Sequence, residues 1–112
     1  MIQEQLEQIE RKIFDNHRIS EEVRDQLLEK LHALQEQLEI AQADDFDPES
    51  LQSLLGFTQL SAHEALRPQQ DPQLLQLALQ GVEYNLEQFE SDHPKLINLL
   101  NSFCMVLSDM GI

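Results

Sequence analysis

At 112 residues and 13.0 kDa the chain has room for one domain, and 21 acidic against 7 basic residues leave it a net charge of −14. So negative a surface repels phosphate backbones and anionic lipid faces, which argues against nucleic acid or a membrane surface as a direct partner. A hydrophobic content of 41% is too high for a disordered acidic tail, and 20 leucines against three valines and one threonine argue against a β-rich fold.

The expected class is all-α: a small helical bundle, one domain over 1–112, with an N-terminal hairpin and a C-terminal helix pair. Ile2, Leu6, Ile9 and Ile13 are spaced 4, 3 and 4, which puts them on one helical stripe. The segment from Asn16 to Ile19 interrupts, and Ser20 before Glu21 and Glu22 reads as an N-cap with acids in the first turn. A second helix follows with Val23, Leu27, Leu31, Leu34, Leu38 and Ala41 on one face. Asp25, Glu29, Gln35, Glu36 and Glu39 lie opposite. A short loop between antiparallel neighbours buries both stripes, so 2–42 is expected to be a helical hairpin.

Residues 43–71 read as short helices and loop. Asp47 at the N-cap with Pro48 at N1 opens a helix carrying Leu51, Leu54 and Leu55, which soon meets Gly56. Ser61 followed by Glu64 fits a capping box for a further turn or two to Leu66. Arg67 to Gln70 is the least structured stretch.

The C-terminal pair occupies 72–112. Asp71 and Pro72 repeat the cap-and-proline start, and Leu75, Leu79, Val82, Leu86 and Phe89 follow at helical spacing. Gly81 inside this helix costs about 1 kcal/mol against alanine, and a small residue there lets a neighbour approach closely. At Pro94 two readings stay open: a corner with a new helix starting at the proline, or one long helix kinked there. Beyond it Leu96, Leu100, Phe103, Leu107 and Met110 form a stripe that Ile97 and Cys104 widen, with Leu99 and Val106 further round. A helix so broadly apolar is either central or shared with another chain. At its end, Gly111 at C′ and Ile112 at C″ suit a Schellman cap in which Ile112 folds onto Leu107.

The C-terminal third, with Gly81-Val82-Glu83, Phe89-Glu90, His93-Pro94-x-Leu96 and a terminal Leu107-x-x-Met110-Gly111-Ile112, resembles a bacterial family of short acidic chains, domain of unknown function 4404. The likeness is carried by about residues 79–112. The helical pair over 2–42 is similar in pattern only, and 43–72 finds no counterpart. The resemblance implies a small cytoplasmic helical protein of Gram-negative bacteria, and brings no activity, cofactor or catalytic residue with it.

Chemistry-bearing residues are sparse. Cys104 is the single cysteine, set in an apolar run, so no intrachain disulfide and no Cys-rich zinc site are expected. His17, His32, His63 and His93 are dispersed; His32 and Glu36 share a face at i, i+4, a spacing of surface contacts more than of metal ligands. Neither an EF-hand spacing nor a glycine-rich phosphate loop occurs. No catalytic residue, cofactor or metal is therefore expected. The N-terminus lacks the basic and apolar regions of a signal peptide, and no run approaches the ~20 apolar residues of a membrane span, so the cytoplasm is the expected compartment.

Two functional readings follow. One is a homodimeric interaction module with Leu96, Leu100, Phe103 and Leu107 at the interface, since the leucine stripes exceed what a small monomer buries easily. The other is an acidic antagonist or adaptor that docks on a basic protein, nucleic-acid-binding or ribosome-associated. Net charges of −5, −5 and −4 over residues 1–42, 43–72 and 73–112 give an even spread.

Overall fold

Five α-helices carry the apolar stripes in the computed structural model, which describes residues 2–43, 47–87 and 93–110. They are α1 (Ile2–Phe14), α2 (Glu21–Ala43), α3 (Pro48–Ala65), α4 (Pro72–Glu87) and α5 (Pro94–Met110), with no strand among the described residues. The all-α class holds.

Two caps form as the sequence indicates. Val23 N–H donates to Ser20 Oγ at 3.2 Å at the start of α2. At the start of α4, Gln73 and Leu74 N–H both donate to Asp71 Oδ1, at 3.0 and 3.3 Å. Asp47 differs: it stands at the N-cap of α3, but its carboxylate accepts from the Ser50 hydroxyl at 2.7 Å and from no backbone N–H. Pro94 is the first residue of α5, with Ile97 N–H bonded to His93 O at 3.2 Å. The expected Gly111–Ile112 cap and Phe89 lie outside the described residues.

The middle segment departs most from expectation. Residues 48–65 form one 18-residue helix that runs straight through Gly56, and Ser61 is not a cap. Its hydroxyl donates to Phe57 O and that of Thr58 to Leu54 O, both at 2.8 Å, so each is satisfied one turn back along its own helix. Glu64, expected to close a capping box, is buried and accepts from Arg67 Nη1 at 2.7 Å. Leu51, Leu54, Leu55, Thr58, Ala62 and Ala65 make the buried face. In its second half that face is small side chains, which admit close neighbours where a leucine pattern would have been easier to read.

Helix directions follow from side-chain bonds. Gln8 bonds Gln59 and Lys12 Nζ donates to His63 Nδ1 at 3.0 Å, an offset of 51 in both pairs, so α1 and α3 run parallel. Asn16 Nδ2 to Leu66 O at 3.0 Å and Arg18 Nη1 to Pro68 O at 2.9 Å extend that alignment into the following loops. Six residues join α3 to α4, so the two pack side by side as antiparallel neighbours, with the Phe57 ring on Gly81. Gln70, just before α4, donates to Met110 O at 3.1 Å, so α5 ends where α4 begins. α4 and α5 therefore pack side by side in opposite directions, which a merely kinked helix cannot do.

Around the bundle the order is α1, α2, α5, α4, α3, with α3 and α5 also touching across the middle. The radius of gyration is 13.2 Å, against about 13 Å for a compact domain of this length. One copy of the chain buries most of its leucines unaided, with Leu60, Leu74 and Leu77 left exposed.

Candidate interaction surface

The broad apolar arc of α5 is used inside the chain. Leu96 and Leu100 are 1% exposed, and Phe103 and Leu107 are 0% exposed. α2, α3 and α4 all pack against α5, so its width reflects a central position. The four residues expected at a subunit interface are core residues, and none presents a surface to a second chain.

A surplus apolar face lies instead on α3 and α4. α4 has two stripes. Leu75, Ala78, Val82 and Leu86 point into the core, while Leu74, Leu77, Gly81 and Tyr84, spaced 3, 4 and 3, lie on an adjoining stripe. Leu74 is 44% exposed, Leu77 61% and Tyr84 67%. On α3, Phe57 (38%) and Leu60 (45%) stand one turn apart. Phe57 lies on Gly81, one turn from both Leu77 and Tyr84, and so joins the two helices into one patch. Phe14, Ile40 and Met105 are also exposed, but on other helices.

Charge sharpens the contrast. Residues 50–62 and 72–82 contain no Asp, Glu, Lys, Arg or His in a chain of net charge −14. The spread that looks even by thirds therefore conceals two neutral windows, and antiparallel packing sets them side by side. The signal was present in the sequence as a second stripe on α4. The buried stripe masks it, because only the fold tells which of the two is covered.

The carboxylates gather elsewhere. Glu22, Asp25, Glu29, Glu36 and Glu39 form an exposed stripe along α2 with His32 among them. His32 Nε2 is 3.4 Å from Glu10 Oε1 on α1, so it bridges the hairpin. Among the described residues no three His, Cys, Asp or Glu side chains are grouped to hold a metal ion. Cys104 lies in a groove between α4 and α5 with Leu79, Val82, Leu86 and Ile97, and burial pushes its thiol up to about 12 from an ordinary 9.0. A thiol held protonated is a poor nucleophile. A second groove, at the pole where α1, α3 and α5 end, is floored by Ile19, Val23, Leu66 and Met110. Its Arg18 and Arg67 are already bonded to Pro68 O and Glu64.

A family model described as Domain of unknown function (DUF4404) matches residues 27–112. The chain belongs to that family. The DUF4404 match begins within α2 and runs through α3, α4 and α5, so it takes in both the neutral face and the segment 43–72 that the motifs alone could not place. Neither the curated proteins nor the solved structures hold a significant match. Among the described residues no helix is long and apolar enough to cross a membrane.

Proposed function

We propose that this DUF4404 protein is a homo-oligomeric protein–protein interaction module, a dimer in its simplest form, that associates through the α3–α4 face. One observation carries the reading: of a contiguous apolar patch, Phe57, Leu60, Leu74, Leu77 and Tyr84, all but Tyr84 lie in the two charge-free windows. The largest apolar patch on a small domain is often its contact surface. Lack of charge there selects the partner. Two copies of net charge −14 repel one another wherever their carboxylates meet, and a neutral face lets them approach at least cost. A basic partner would gain nothing at that face.

Light scattering coupled to size exclusion, from 1 to 100 µM protein, tests the reading. A mass twice that of the chain is the expected result. A monomer mass throughout overturns it.

The exposed acidic stripe on α2 favours a second reading, docking on a basic protein. Such a contact weakens as salt shortens the Debye length to about 10 Å at 0.1 M. Retention of a basic lysate protein at low salt and its loss at high salt would support it.

A further inference from the structure

We infer that the second copy docks isologously, α4 against α4 in antiparallel register, with Leu77 of each copy seated on the Phe57 ring that covers Gly81 of the other. This rests on the self-association proposed above and specifies its geometry. A two-fold contact must be self-complementary: whatever residue i meets, that residue meets i. The exposed stripe of α4 satisfies the condition about its own midpoint. Leu74 and Tyr84 are its ends, and Leu77 and Gly81 are its inner members.

Reversing one stripe against its copy sets Leu74 opposite Tyr84 and Leu77 opposite Gly81. The space a Gly81 side chain would take is filled by the Phe57 ring of the same copy, and that ring is itself 38% exposed. Leu77, 61% exposed, of one copy thus meets the Phe57 ring of the other where it lies on Gly81. A parallel arrangement would set Leu77 against Leu77 and bring the two Phe57 rings together instead.

Area is consistent with this occupant. At roughly 200–250 Å² for a fully exposed large side chain, the five apolar residues offer on the order of 500 Å². Exposed Gln73 and Gln80 flank the stripe and bring each partner toward the about 800 Å² of a standard interface without adding charge.

Cross-linking decides the register. Leu74→Cys and Tyr84→Cys are made separately in a Cys104→Ala chain, and a short bismaleimide is applied to each alone and to their mixture. The expected result is a covalent dimer several-fold more abundant in the mixture than in either variant alone. Equal cross-linking of each variant with itself, in a chain that has a dimer mass, overturns the register and leaves the self-association intact. A monomer mass for the parent chain removes both. Leu77→Glu is the second arm: the residue is exposed, so the helical spectrum and unfolding midpoint should stay as in the parent while the dimer mass is lost. A Leu77→Glu chain that remains dimeric overturns the inference.

Discussion

The Phe57 ring lies directly on the backbone of Gly81, where a Cβ would stand 2.2 Å from ring carbon Cδ1. That contact couples two terms of opposite sign. Alanine is favoured over glycine inside a helix by about 1 kcal/mol. The methyl, however, would displace a ring that is 38% exposed and able to swing outward. Gly81→Ala should therefore stabilise a Phe57→Ala chain by about 1 kcal/mol, yet give no gain or a loss in the parent. Urea denaturation of the four chains measures the difference. Equal gains in both backgrounds would show that the ring does not occupy that space.

Glu64 is buried on α3 and its charge is met by Arg67 Nη1 at 2.7 Å, three residues on. Removing the guanidinium leaves a buried carboxylate without that partner, which costs about 1–3 kcal/mol. Arg67→Ala should lower stability by that order, and Arg67→Ala with Glu64→Gln should recover part of it. Thermal unfolding of the two chains checks the order, with the double variant expected to unfold later than the single one.

The three helix starts with a polar residue at the N-cap are not equivalent. Ser20→Ala and Asp71→Ala each remove an acceptor that holds backbone N–H groups, at about 1 kcal/mol. Asp47 accepts only from the Ser50 hydroxyl, so Asp47→Ala should cost less than either. Denaturation midpoints for the three variants test the ranking. An Asp47→Ala loss as large as that of Asp71→Ala would place a backbone bond on the Asp47 carboxylate.

Burial holds the Cys104 thiol at about 12, above its ordinary 9.0. The folded state thus prefers the neutral thiol, and the sign follows. Its contribution is fully present below about pH 9 and is lost as pH rises toward about 12, because only the unfolded chain ionises freely in that window. Between those values Cys104→Ala should lose less stability with rising pH than the parent. Iodoacetamide should correspondingly modify native Cys104 far more slowly than the unfolded chain. Parallel pH slopes in the two chains would contradict the partly buried, protonated thiol.

Much of the fold was legible locally. Leu6, Ile9 and Ile13 on α1 and Leu27 to Ala41 on α2 fall in the core as their spacing indicates, and Ser20 and Asp71 cap as their positions indicate. α3 was not legible as one helix. Gly56 interrupts its pattern, and its later core face of Thr58, Ser61, Ala62 and Ala65 carries no leucine. Hydroxyls bonded one turn back are acceptable in a core, yet in sequence the same Ser61 and Glu64 imitate a cap.

Periodicity and composition alone determined the helical class, the starts of α2, α3 and α4 and the net negative charge, because these depend on spacing within one turn and on charge totals. Which stripes face inward depends on which helices become neighbours. α5, the most broadly apolar helix, sits where α2, α3 and α4 all cover it, and so Leu96, Leu100, Phe103 and Leu107 leave the surface. α4 carries two apolar stripes with core partners for one only, and so Leu74, Leu77 and Tyr84 remain on it beside Phe57. A stripe records that a face can be buried, while the competition among faces for a finite interior is settled only when the helices pack.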